Sequence, residues 1–257
     1  MTGKVSLIGA GPGDPELLTL KAERLLRAAT CVVYDRLVSD EIIAMANPEA
    51  KMIFVGKMPK CHAVTQERIN EILVEEAVAG HQVARLKGGD PLIFGRGSEE
   101  AAVLQASGIE IEYVPGITAA QGASAISGVP LTHRGLATGV QYVTGHRQAG
   151  KSLDLDWKRL ANVDTTLVVY MGVANIGQIA VGLMTEGLAG QTPVMAISKA
   201  TSADERRMVS SLSHCAQDAR AADLKAPTLF IIGKVVSLYG AQGLPLADDT
   251  AEVAAHG

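Results

Sequence analysis

Short apolar runs alternate with amphipathic stretches through the first half of the chain. The runs at residues 5–8, 31–34, 52–55, 82–86 and 109–114 have the length and apolar content of buried strands. Between them, residues 15–29, 40–46, 65–79 and 98–107 carry a helical pattern. In the third of these, Ile69, Ile72, Leu73 and Ala77 recur at helical spacing. Strict alternation of strand and helix predicts an α/β fold: a mostly parallel sheet with helices on both faces. The second half predicts strands at 139–144, 167–171, 194–198, 207–212 and 228–236 and helices at 174–185 and 214–222. The second half changes character and is read as a second α/β domain, from about residue 120, with more antiparallel pairing. The expected organisation is two α/β domains, 1–116 and 117–240, with a mobile tail at 241–257.

Two uncharged stretches, 113–132 and 165–185, test the membrane alternative. The first holds two prolines and three glycines, the second Asn175, Gln178 and three glycines. Both read as an extended piece followed by a helix of small residues, since a span needs about 20 predominantly apolar residues. Hydrophobic residues make up 47% of the chain and charged residues 19%, enough for a sizeable core. A net charge of −4 argues against a general nucleic-acid binder. The three cysteines, Cys31, Cys61 and Cys215, lie far apart and form neither a disulfide framework nor a zinc motif. The N-terminus runs straight into an apolar strand without a basic leader, which points to a cytoplasmic protein. No metal is expected.

The candidate chemistry lies where the strands end. Residues 5–15, VSLIGAGPGDP, enter a loop with Gly9, Gly11 and Gly13. A dinucleotide fingerprint needs a third glycine at 14, and Asp14 stands there. Asp14 caps a helix that Pro15 starts, an acidic end that would repel a pyrophosphate. Pro12 also withdraws an N–H from any phosphate cradle. These residues suit either a plain tight turn or a nucleoside ligand without phosphates, such as S-adenosylmethionine (SAM), and they oppose a nicotinamide dehydrogenase. Residues 85–97, RLKGGDPLIFGRG, repeat the strand-to-glycine order, and VPGITA at 114–119 adds a third small-residue turn. In open α/β sheets ligands sit beyond the carboxyl ends of the strands, so three such turns suggest one crevice.

GAGPGD (9–14), YDRLV (34–38), RLKGGDPLIFGRG (85–97), VPGIT (114–118), PLTHRG (130–135), VTGH (143–146), YMGV (170–173) and APTLFIIGKVV (226–236) follow one another in order. Together they resemble the tetrapyrrole methyltransferases, most closely the members that act on uroporphyrinogen III, over about residues 3–240. The resemblance implies two α/β domains with SAM between them, usually a homodimer. It implies transfer of methyl groups from two SAM molecules to C2 and C7 of uroporphyrinogen III, through precorrin-1 to precorrin-2, with S-adenosylhomocysteine as co-product. Precorrin-2 leads to sirohaem, cobalamin or haem d1. The resemblance places SAM contacts at Pro12, Gly88, Gly89, Asp90, Ile93, Thr118, Ala119, Met171 and Ala200. It makes Asp35 the proton acceptor and Lys57 the proton donor, and puts Arg96, Glu99 and Arg134 on the substrate side. The chain departs from the family at Met58 and Lys60, which stand where an arginine and a glycine are usual, and keeps His62. No dehydrogenase–chelatase extension is evident, so a stand-alone methyltransferase is expected.

The chemistry suits these residue types. Carbon methylation by a sulfonium is an in-line displacement, so alignment and exclusion of water matter most. Attack by a pyrrole carbon leaves a cationic ring that must then lose a proton, a task for a carboxylate such as Asp35. Asp35 also reads as a surface residue paired with Arg36. Uroporphyrinogen III carries eight carboxylates, and Arg36, Lys57, Lys60, Lys87, Arg96, His133, Arg134, His146 and Arg147 lie in or beside the motif loops. Arginine is the better partner because its fork binds both carboxylate oxygens.

Overall fold

A computed structural model of the chain describes residues 2–56, 64–146 and 153–239. The first half folds as the alternation predicts. Its elements are β1 (Lys4–Gly9), α1 (Leu20–Ala28), β2 (Cys31–Tyr34), α2 (Asp40–Ile43), β3 (Lys51–Phe54), α3 (Gln66–Val78), β4 (Gln82–Lys87), α4 (Gly97–Ala106) and β5 (Glu110–Val114). The five strands form one sheet in the order β3-β2-β4-β1-β5, and every pair is parallel. Side chains alternate between its faces. Val5, Leu7, Cys31, Val33 and Val83 pack on Ile69, Leu73 and Ala77 of α3 and Ala101 and Leu104 of α4. Ile8, Val32, Ala84 and Leu86 meet Ala22 and Leu26 of α1 and Ile42 of α2 on the other side.

Two first-half expectations change in detail, and a third holds. The segment 15–29 is not one helix. A 3₁₀ turn (Pro15–Leu17) capped by Asp14 stops at extended Leu18, and α1 restarts where the Thr19 hydroxyl accepts from Ala22 N–H. The helix expected over 40–46 is only α2, followed by looser turns. The helix of 65–79 matches α3, with the Thr65 hydroxyl accepting from Arg68 N–H.

The remaining elements are α5 (Ala119–Ser127), β6 (Gly139–Thr144), α6 (Trp157–Leu160), β7 (Thr165–Tyr170), α7 (Ile176–Thr185), β8 (Pro193–Ser198), β9 (Arg206–Ser211), α8 (Cys215–Ala221) and β10 (Thr228–Ile232). Their sheet runs β6-β7-β10-β8-β9, with only β6 and β7 parallel. Phe230, Leu167, Val169, Val194 and Ala196 pack on Ile179 and Leu183 of α7 and Cys215 of α8. The strand expected over 228–236 ends at Ile232, because Gly233 turns the backbone at φ 144° into a 3₁₀ turn (Lys234–Leu238). The short helix α6 escapes the sequence pattern, being a single turn capped by Asp156. The uncharged stretches resolve as β5 followed by α5 and β7 followed by α7. Among the described residues no helix is long and apolar enough to cross a membrane.

The chain divides into two compact units. One comprises Met1–Gly122 together with Lys199–Glu205, the other Ala123–Ser198 and Arg206–Gly257. The loop after β8 therefore belongs with the first sheet although both its flanking strands lie in the second.

Candidate active site

The three glycine turns meet at the carboxyl ends of β1, β4 and β5. Gly11 and Gly89 exchange backbone hydrogen bonds, Gly11 N–H to Gly89 O at 3.1 Å and Gly89 N–H to Gly11 O at 2.6 Å. A Cβ on Gly9 would lie 2.4 Å from Gly116 N and 2.7 Å from Gly89 O, so main chains of all three turns touch. Asp90 fastens the cluster. Its Oδ1 accepts from Leu92 N–H at 2.8 Å and its Oδ2 from Gly116 N–H at 3.1 Å. Two lone-pair positions of the carboxylate are thus committed to backbone, which makes Asp90 a loop-holding group as well as a candidate ligand contact. At Gly89, φ 69°, a Cβ would sit 3.7 Å from Ala119 N and 3.8 Å from Thr118 Cα, filling the space between the turns.

The loop after β8 closes on the first turn. The Thr201 hydroxyl accepts from Asp14 N–H at 3.2 Å, and a Cβ on Gly13 would come 3.5 Å from Ala200 O. Ser39 donates to Gly13 O at 2.8 Å. A Cβ on Gly122 would lie 2.7 Å from Pro12. Pro12, Gly88, Gly89, Asp90, Thr118, Ala119 and Ala200 are therefore brought together in one unit. Ile93 joins them through the turn in which its N–H bonds Asp90 O at 3.3 Å. The arrangement fits a phosphate-free nucleoside: Asp14 directs its carboxylate to Glu16 N–H at the 3₁₀ start, where a phosphate would otherwise bind.

Backbone strain concentrates in the same motifs. Of the described non-glycine residues with positive φ, Phe94 (53°), Arg96 (60°) and Met171 (54°) lie in the motif loops, Lys199 (48°) and Thr201 (66°) flank Ala200 in the loop after β8, and Asp223 is the sixth. Such conformations cost about 1–3 kcal/mol each and gather at functional sites. Arg96, half exposed, grips Glu99 with both ends of its fork, Nε to Oε1 at 2.9 Å and Nη2 to Oε2 at 2.7 Å. That grip holds the Glu99 carboxyl below its usual range.

Asp35 lies at the end of β2. Its Oδ1 accepts from Leu37 N–H at 2.9 Å, and its Oδ2 is 3.8 Å from Nη2 of Arg85. The cation facing it is thus Arg85 of β4, not the adjacent Arg36 considered from the sequence. Lys87 also departs from expectation. It is 4% exposed and bonded to Glu100 at 2.9 Å, so it is not a surface cation for substrate carboxylates. Burial pushes its ammonium down, and neighbouring Arg85 adds to that, against the pull of Glu100. Arg134, exposed, and Met171, 48% exposed at the end of β7, belong to the second unit. Lys57, Met58, Lys60, His62, Arg147 and the tail after Tyr239 lie outside the described residues. The sequence reading missed Arg85 and Glu100. An Arg-x-Lys pair on one face of a central strand was the available signal, obscured by the glycines that follow.

Fold and turns define an α/β protein whose glycine turns gather beyond the carboxyl ends of a parallel sheet. The sequence profile of the tetrapyrrole (corrin/porphyrin) methylases matches residues 4–216. The chain belongs to that family and is a methyltransferase. It is 52% identical over 243 residues to the uroporphyrinogen-III C-methyltransferase of Paracoccus denitrificans, covering 95% of this chain and 85% of that one. It is 50% identical to a sirohaem synthase of Acinetobacter baylyi over 92% of this chain, of which it spans about half the length (51%). A solved uroporphyrin-III C-methyltransferase of Thermus thermophilus, complexed with S-adenosylhomocysteine, superposes with a TM-score of 0.80 at 43% identity, covering 92% of this chain and all of that one.

Proposed function

We propose that this chain uses SAM to methylate uroporphyrinogen III at C2 and then C7, giving precorrin-2 through precorrin-1. The observation that carries the reading is the 52% identity to the Paracoccus enzyme across nearly the whole chain. The interlocked phosphate-free turns support it. In this reading SAM lies against Pro12, Gly88, Gly89, Asp90, Ile93, Thr118, Ala119, Met171 and Ala200, and the chain comprises an N-terminal domain (1–116) and a C-terminal one (117–240). The reading carries with it a cytoplasmic homodimer whose product feeds sirohaem, cobalamin or haem d1 formation.

Bound SAM supplies an electrophilic methyl group on a positively charged sulfur. The chain's own residues do the rest. Small-residue turns let backbone approach the nucleoside and exclude water, which favours an in-line displacement. Asp35 takes the proton that the methylated ring releases, through Oδ2, which faces Arg85, because Oδ1 is held by Leu37 N–H. Lys57 acts as donor. Arg96 and Arg134 bind the substrate's acetate and propionate groups, Arg96 kept in place by Glu99.

Anaerobic incubation with SAM and uroporphyrinogen III, followed by mass analysis, tests this. A gain of two methyl groups is the expected result. No gain with SAM still bound would overturn it in favour of a later precorrin or a non-catalytic protein. Arg96→Ala and Arg134→Ala should each raise KM for the tetrapyrrole about tenfold or more, since a charge-assisted bond contributes about 1.5–3 kcal/mol. SAM affinity should stay unchanged, and equal loss of both would sink the substrate-side assignment.

A further inference from the structure

In β4, Val83, Arg85 and Lys87 share one face of the strand, toward α3 and α4. Val83 belongs to the apolar layer, yet the next two positions are charged and nearly sealed from water, at 2% and 4% exposure. They converge on Glu100 of α4, itself 1% exposed. Glu100 Oε1 accepts from Arg85 Nη2 at 3.1 Å, Lys87 Nζ at 2.9 Å and Gln66 Nε2 at 3.2 Å. Arg85 Nε lies 3.3 Å from both Glu100 oxygens, and its Nη1 donates to Leu86 O at 2.9 Å. The guanidinium is therefore fixed from both sides. Burial works to raise the Glu100 carboxyl, and the charges of Arg85 and Lys87 overcome it, keeping the group ionised.

A buried ion cluster is a poor way to stabilise a sheet, because desolvating the charges offsets most of their attraction and apolar side chains of similar size often serve as well. This one extends toward the surface at Asp35. Nη2 of Arg85, the same nitrogen that donates to Glu100, lies 3.8 Å from Oδ2 of Asp35, whose side chain is 25% exposed while that of Arg85 is 3%. With Asp35 the cluster balances two cations against two carboxylates. Asp35 is thereby oriented twice, by Leu37 N–H at one oxygen and by an immobilised cation at the other.

We propose that Arg85, anchored by Glu100, is a positioning residue for the Asp35 carboxylate, and that this buried cluster serves the proton-transfer step. The inference rests on the reading of Asp35 as the group that takes the proton from the macrocycle.

A double-mutant cycle on the full chain tests it, using Arg85→Gln, Asp35→Asn and the pair, with SAM and uroporphyrinogen III. Arg85→Gln leaves Lys87 to neutralise Glu100 while removing the cation from Asp35. It should lower kcat about tenfold, with KM and the SAM Kd within about twofold of wild type. Arg85→Lys should restore part of kcat. In the Asp35→Asn background, Arg85→Gln should change kcat by less than about twofold, because the group it orients is gone. An equal loss of kcat in both backgrounds, or wild-type kcat in Arg85→Gln, would overturn the proposal. Wild-type kcat in Asp35→Asn would instead overturn the reading of Asp35 itself, and the inference with it. Should Arg85→Gln fail to fold, Glu100→Gln, which removes the anchor and keeps its shape, carries the same cycle.

Discussion

At the scale of single residues, the candidate site depends on atoms that are missing. Gly9 has backbone of two other turns where its Cβ would be, at 2.4 and 2.7 Å, and neither neighbour is a flexible side chain that could swing away. Gly9→Ala must therefore push the turns apart. It should destabilise the chain by about 1–3 kcal/mol in denaturant unfolding, as overpacking does. It should also weaken SAM binding measured by calorimetry; unchanged SAM affinity would separate these turns from the ligand site. The spacing of the glycines, with Asp14 and Pro12, suggested either a nucleoside-type loop or a tight turn. Their mutual contacts were not legible, because Gly9, Gly89 and Gly116 lie far apart in the chain. Asp90 shows the same limit: its residue type suggested a ligand contact, whereas its two hydrogen bonds to backbone emerge only once Gly116 is beside it.

At the scale of elements, ion pairs tie strands to helices at the other end of the first sheet. Glu112 of β5 accepts from Lys4 of β1 and Lys21 of α1, each at 2.7 Å. The hydrogen bond from Lys21 and then that from Lys4 bring the carboxyl down to about 2. A carboxylate lowered in the folded state stabilises it fully above the ordinary value of 4.5 and loses that contribution as pH falls toward about 2. Glu112→Gln should lower stability at pH 7 by about 1 kcal/mol or less, seen as a modest drop in melting temperature, and converge on wild type as pH falls through about 2. A difference that persists at pH 2 would show that the residue acts through packing instead. Element boundaries followed the sequence where caps are local, as at Thr65 before α3. They departed from it where a single backbone angle intervened, at Leu18 and at Gly233.

At the scale of the whole molecule, each sheet has its own core. Phe230, fully buried in β10, packs with β7, β8, α7 and α8. Phe230→Ala should cost about 3–5 kcal/mol. Amide hydrogen exchange should show protection lost first in β7, β8 and β10 while β1, β2 and β4 hold; uniform loss across both sheets would mean that the two cores unfold as one. The sequence by itself determined the alternating plan of the first sheet, the shift to antiparallel pairing in the second, the motif turns and the family. Each of these is written in local periodicity or in short runs of residues, which neighbours along the chain enforce. Only the tertiary structure decided the strand order, the return of Lys199–Glu205 to the first unit, and the gathering of Asp35, Arg85, Lys87 and Glu100. Those features depend on which distant segments share a sheet edge or a helix face, and a buried charge finds its partner only after packing has excluded water.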